Sequence, residues 1–136
     1  DILLNNPVHE TPDSNIFYFC KRSSANIRWL RYIYFAGRIR QFNLLGENAI
    51  WLDIGSYYGG LQGIVKKMYP DTKCILVDFN HQLCRSYVYL YKQFPDAKHV
   101  LPDELSDNLN IEQGSFVYVP ATKFKQLYQE LHALHS

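Results

Sequence analysis

Along the chain, apolar positions fall into short runs that alternate with longer periodic stretches. Ile16-Phe-Tyr-Phe-Cys20 is a short apolar run, either an edge strand or a hydrophobic plug. Ser23 and Ser24 are cap candidates for a helix from about Ala25 to Phe42. On it, Ile27, Leu30, Tyr34 and Gly37 make one face, widened by Trp29, Ile33 and Ala36. The run from Ala49 to Leu52 reads as a short buried strand that ends at Asp53 and a glycine turn. Leu61, Ile64, Val65 and Met68 then recur at the i, i+3, i+4, i+7 spacing of a helix, which Pro70 ends. Cys74-Ile-Leu-Val77 is a second continuous apolar strand, of the kind a parallel sheet buries, and it too ends in an acid, Asp78.

The next helix is predicted over His81 to Phe94, with Leu83, Tyr87, Leu90, Tyr91 and Phe94 on one face and Pro95 behind it. Lys98 to Leu101 is a weak strand, and Pro102 to Gln113 is acidic and turn-like. Phe116 to Val119 is a convincing strand closed by Pro120. Thr122 caps a last helix, with Phe124, Leu127, Tyr128, Leu131 and Leu134 at the spacing of one apolar face. Strands that alternate with helices imply parallel pairing through right-handed crossovers. The expected fold class is therefore α/β: a Rossmann-like open parallel sheet with the Asp53 strand beside the Asp78 strand. Residues 1–45 would form a lead-in and a basic helix, and residues 46–136 the sheet domain. The sheet is expected to stop after its third or fourth strand, as in a piece of a longer protein. One sheet edge and the last helix would then expose apolar surface open to self-association.

Composition narrows the function classes. A length of 136 residues suits one domain, and 47% hydrophobic residues suffice for a core. A formal net charge of +1 provides no global field for nucleic acid. Cys20, Cys74 and Cys84 lack metal-type spacing and read as buried thiols of a reducing, cytoplasmic compartment. No apolar run is long enough to span a bilayer, so no membrane partner is expected. His132 and His135 lack a third ligand, so no metal is expected. Nor does any motif supply a paired nucleophile, so no catalytic residue can be named.

Charge is uneven, however. Lys21, Arg22, Arg28, Arg31, Arg38 and Arg40 are basic, and no acid lies between Asp13 and Glu47. That stretch is either a solvated helix face or an anion patch with interleaved aromatics.

The candidate chemistry lies in Trp51-Leu-Asp53-Ile-Gly55-Ser56-Tyr57-Tyr58-Gly59-Gly60-Leu61. A strand, a glycine turn and a helix bring a ligand against backbone N–H groups. Asp78 follows Gly59 by about 20 residues, the spacing that sets a carboxylate on a ribose diol in mononucleotide-binding βαβ units. The competing reading of Asp78 is a cap on the next helix, and that of Asp53 a clamp on the turn's own amides. Asp53-x-Gly55-x-x-x-Gly59 resembles the first motif of class I S-adenosylmethionine-dependent methyltransferases, acid-x-Gly-x-Gly-x-Gly. Gly59-Gly60-Leu61 and the Tyr87-to-Pro95 segment resemble, more narrowly, the sugar O-methyltransferase family, from about Asn26 to Leu127. Tyr57 departs from the pattern, standing where the motif has its middle glycine. A tyrosine is costly there if the turn needs φ > 0.

The resemblance implies S-adenosylmethionine as cofactor, bound by Asp53, Gly55, Ser56, Tyr57 and Gly59, with Asp78 on the ribose and Phe79 on the adenine. It also implies a small hydroxyl acceptor such as a sugar. A third reading of the basic helix follows from it, a lid on which Arg31, Tyr32 or Tyr34 meets the methionine carboxylate or an anionic substrate. The alternative is a non-catalytic Rossmann-like module with a degenerate site. A nicotinamide or flavin enzyme fits less well, since Gly-x-Gly-x-x-Gly is absent.

Overall fold

The computed structural model describes residues 27–105, 111–124 and 128, and the backbone of 17–19 and 23–25. The readings placed on Cys20, Lys21, Arg22, Leu127, Leu131, His132, Leu134 and His135 lie outside these residues. Strand β1 (Phe17–Phe19) pairs antiparallel with β2 (Ser23–Ala25), so Ser23 and Ser24 are strand residues rather than helix caps. Helix α1 spans Ile27–Gln41. Strand β3 (Ile50–Ile54), helix α2 (Gly60–Met68), strand β4 (Lys73–Asp78) and helix α3 (Asn80–Gln93) follow. Strands β5 (His99–Val100) and β6 (Phe116–Pro120) complete the described strands.

The sheet is open and all parallel, in the order β3-β4-β6-β5, an α/β arrangement consistent with a Rossmann-like fold. In register, Asp53 sits opposite Leu76 and Asp78 opposite Pro120. The two acid-terminated strands are neighbours, as their sequence implied.

Burial divides the sheet into two faces. Cys74, Leu76, Phe116 and Tyr118 pack under Leu83 and Leu90 of α3. Trp51 lies on the same side, against Val65 of α2, Ile39 of α1 and Leu45 beyond it. The opposite face, with Ile75, Val77, Val117 and Val119, is covered by Ile111, Leu105 and Phe124. Among the described residues that cover does not reach β3, which is an edge of the described sheet. Its Ile50, Leu52 and Ile54 are all exposed. The run was expected to be buried. Side chains of a strand alternate between the two faces of the sheet; helices lie over the Trp51 and Asp53 face of β3, and the other face has no cover among the described residues.

The core face of α1 also differs from expectation. Trp29, Tyr32, Ala36 and Ile39 are buried, while Ile27 is 73% and Tyr34 61% exposed. Apolar residues surround this helix on nearly every side, so periodicity alone does not single out a face. Trp29 and Tyr32 win because they fill the space against Tyr58 and Ile64. On α3, Leu83, Ser86 and Leu90 are buried and Tyr91 is half exposed. Cys74 is buried and its thiol is pushed up to about 11, chiefly by desolvation. Cys84, expected to be buried, is exposed on α3.

Candidate functional site

The C-terminal ends of β3 and β4 meet at the glycine turn. Gly55 N–H donates to Val77 O at 2.8 Å, extending the parallel ladder one step past β3. Tyr57 N–H donates to Asp78 Oδ2 at 2.8 Å, and Phe79 N–H to Asp78 Oδ1 at 2.8 Å. One carboxylate thus ties the turn to the end of the neighbouring strand and also holds the entry to α3. Asp78 is not the helix cap considered for it: the N-cap of α3 is Phe79, without a side-chain cap hydrogen bond, and Asp78 holds the N–H of that N-cap residue alongside its tie to the turn. Each oxygen accepts one N–H and keeps further acceptor capacity.

Three residues of the turn are left-handed: Gly55 (φ 84), Tyr57 (φ 55) and Gly59 (φ 88). The middle position therefore does need φ > 0, and a tyrosine occupies it. Three local contacts hold it there. Its N–H is taken by Asp78, its ring meets Tyr58 edge-on at 5.4 Å, and the Arg28 guanidinium lies 4.5 Å above the ring. The ring is thus drawn toward α1 and packs beside Trp29 and Tyr32.

The glycines do different work. A Cβ on Gly55 would meet nothing within 4 Å, and the residue is exposed. A Cβ on Gly59 would lie 2.9 Å from Leu90 Cδ1 and 3.3 Å from Ser86 Cβ. On Gly60 it would meet Tyr58 Cζ at 2.5 Å and Tyr32 Cε2 at 2.8 Å. Gly59 and Gly60 let α2 start in close contact with α3 and α1, whereas Gly55 leaves its backbone open to solvent. No side chain caps the start of α2.

Asp53 is half-buried beside the turn and accepts a hydrogen bond from Gln62 Nε2. Desolvation raises its pKa, and the nearby Asp78 charge adds to the rise. The Trp51 indole opposes it from outside hydrogen-bonding geometry, since Trp51 Nε1 is buried without a partner among the described residues. Two further buried polar atoms are unsatisfied in the same way: Ser56 Oγ and Gln62 Oε1. Phe79 is 66% exposed, its ring stacked on His81 at 6.0 Å.

Beyond Asp78, a cavity of about 650 Å³ opens between the first turns of α3, the 101–103 segment and the 120–123 segment. Asn80, Leu83, Cys84 and Tyr87 form one wall, and Tyr118, Leu101 and Pro120 line the rest. Lys123 Nζ spans its rim to Pro102 O at 3.1 Å.

The structure therefore brings together Asp53, Gly55, Ser56, Tyr57 and Asp78, and leaves Phe79 at the margin. Gly59 belongs to the packing beneath. Of the residues considered for a lid, Tyr32 is buried on Tyr58, with burial pushing its hydroxyl up to about 12, while Arg31 and Tyr34 face solvent. Sequence reasoning named Arg28 only as part of the basic stretch, without placing it at the turn, and missed Gln62. Arg28 lies one helical turn before Tyr32, and that spacing carries the only local signal for it. Gln62 is a polar residue beside the apolar positions of α2, with nothing in the sequence to mark it as buried. No protein-family model, no curated protein and no solved structure matches this chain.

Proposed function

We propose that the glycine turn is a cofactor site and that the chain is the S-adenosylmethionine-binding part of a methyltransferase acting on a small hydroxyl acceptor, such as a sugar. The observation that carries this reading is the Asp78 carboxylate, fixed at the mouth of a left-handed turn whose Gly55 backbone is open. The residues present fit such a ligand. Asp78 retains acceptor capacity for a ribose diol. Asp53, held by Gln62, is an acceptor for an ammonium group. The apolar cavity that starts at Asn80 is a slot for a flat base beside Asp78.

S-adenosylmethionine, when bound, supplies an activated methyl group. This chain's part would be to bind and orient, which accounts for most of the rate in an in-line displacement. Asp78 and the turn fix one end of the ligand. The Arg28–Tyr57 pair borders the turn on the α1 side.

Calorimetric titration of the chain with S-adenosylmethionine and S-adenosylhomocysteine, with Asp78→Ala alongside, tests the assignment. Micromolar binding abolished in Asp78→Ala is expected. A folded chain that binds neither ligand would overturn it in favour of a non-catalytic module. That second reading draws on the tyrosine at the turn's middle position and on the internal commitments of both Asp78 oxygens.

A further inference from the structure

We propose that the solvent face of α1, together with the loop that follows it, docks on an anionic lipid surface. Ile27, Arg31, Tyr34, Phe35, Arg38 and Phe42 recur at helical spacing on one stripe, opposite the buried Trp29–Tyr32–Ala36–Ile39 face. All six are exposed, the apolar ones heavily: Ile27 73%, Tyr34 61%, Phe42 54%. Leu44, 65% exposed, extends the apolar side past the helix end, where Asn43 turns the chain with φ 50.

Charge identifies the partner. Arg31, Arg38 and Arg40 make no ion pair among the described residues, and no acid occurs between Asp13 and Glu47. Arg38 instead lies 4.4 Å over the Phe42 ring and bonds Gln41 Oε1 at 3.1 Å. The formal charge of the whole chain is only +1, so this positive field is local. A basic, aromatic, convex stripe complements an anionic surface.

The kind of apolar residue distinguishes lipid from nucleic acid. Bases stack on aromatic rings, but Ile27 and Leu44 gain nothing from a base, and a strand binds best in a groove. Aliphatic and aromatic side chains flanked by arginines are instead the composition of a helix lying in the plane of a bilayer interface. The expectation of no membrane partner rested on the lack of a spanning run, which this mode of binding does not need.

Co-sedimentation of the full chain tests this, using vesicles of phosphatidylcholine alone and of phosphatidylcholine mixed with phosphatidylserine. The chain should sediment with the mixed vesicles only, and less at high salt. Arg31→Glu should lower the partition coefficient on the order of tenfold. Arg85→Glu, the same charge change at an exposed position on α3, should change it by less than about twofold. Phe42→Ser with Leu44→Ser should weaken binding at unchanged charge. All sites are exposed, and circular dichroism checks that each variant is folded. Equal binding to both vesicles, indifference to Arg31→Glu, or failure to sediment with the mixed vesicles overturns the proposal. Capture of a single-stranded RNA oligonucleotide in place of vesicles would reassign the face to nucleic acid.

Discussion

Gly59 and Gly55 share a left-handed backbone but not a neighbourhood, so alanine at each separates strain from packing. At Gly55 (φ 84) a methyl group meets nothing within 4 Å. The left-handed conformation costs about 1–2 kcal/mol for a residue with a Cβ. About 0.4–1 kcal/mol of this is offset because alanine restricts the unfolded chain. Gly55→Ala should therefore lose about 1 kcal/mol. Gly59→Ala incurs the same strain at φ 88 and also drives its methyl to 2.9 Å from Leu90 Cδ1 and 3.0 Å from Leu90 Cγ. Leu90, on the inner face of α3, is fully buried and cannot swing away. Overpacking of that kind adds about 1–3 kcal/mol, for a total loss of about 2–4 kcal/mol. For a chain of this size each kcal/mol moves the melting midpoint by about 3–4 °C. Urea unfolding at 25 °C and thermal melts, both followed by far-UV circular dichroism, read the two variants directly. If Gly59→Ala loses no more than Gly55→Ala, α2 and α3 do not approach as described. If Gly55→Ala is neutral, the turn is not held left-handed at that residue.

Two further predictions concern protons. His99 bonds the Tyr118 hydroxyl at 2.9 Å and Phe94 O at 3.0 Å, and desolvation lowers its pKa, although the Phe94 carbonyl opposes this. With Nε2–H donating to the carbonyl and Nδ1 accepting from Tyr118, the ring is neutral. A folded-state pKa below the unfolded one means stability is full above about pH 6.5 and is lost as acid protonates the ring. His99→Gln should flatten the fall in melting temperature between neutral and mildly acidic pH, and an unchanged slope would show that His99 is not the group responsible. Asp53 has the opposite sign: its raised pKa means the ionised form is penalised in the fold, and that penalty is relieved as pH falls through the folded-state pKa. Asp53→Asn, which keeps an acceptor for Gln62, should melt at or above wild type at pH 7, with its advantage shrinking in acid. A large loss of stability at pH 7 would show that the charge itself holds the turn. The Arg28→Ala variant should lose about 0.5–1 kcal/mol, the worth of a cation–π contact at a partly exposed site. A melt unchanged by Arg28→Ala would mean that Tyr57 is held by Asp78 and Tyr58 alone.

The site itself has an economy of parts. Asp78 joins two elements through backbone donors, and a charge-assisted bond of this type is worth about 1.5–3 kcal/mol. The residue proposed to hold a ribose is thus also the one that maintains the turn. Asp78→Ala should for that reason lose stability as well as ligand, and melting curves must accompany the titration.

The sequence by itself determined most of the elements and the pairing of β3 with β4. Two continuous apolar strands ending in acids, a glycine turn between the first strand and a helix, and prolines after two helices are local patterns, readable without a partner. Their alternation implies parallel pairing, and β3 lies beside β4 as that alternation demands. The spacing of Asp53, Gly55 and Asp78 likewise brought those residues to one place. Tertiary structure alone decided which surfaces were used. Helix α1 carries apolar side chains nearly all round, so its period does not single out a face, and Trp29 with Tyr32 took the core because Tyr58 and Ile64 face them. The run from Ala49 to Leu52 looks buried, yet β3 is an edge whose second face, with Ile50, Leu52 and Ile54, has no cover among the described residues. Two glycines that share a left-handed backbone differ because Leu90 and Ser86 stand over one and solvent over the other. A tyrosine could occupy a left-handed position because Asp78 and Arg28, 21 and 29 residues away in sequence, converge on it beside the adjacent Tyr58. Local sequence fixes which conformations a segment prefers, whereas burial depends on what arrives from elsewhere in the chain.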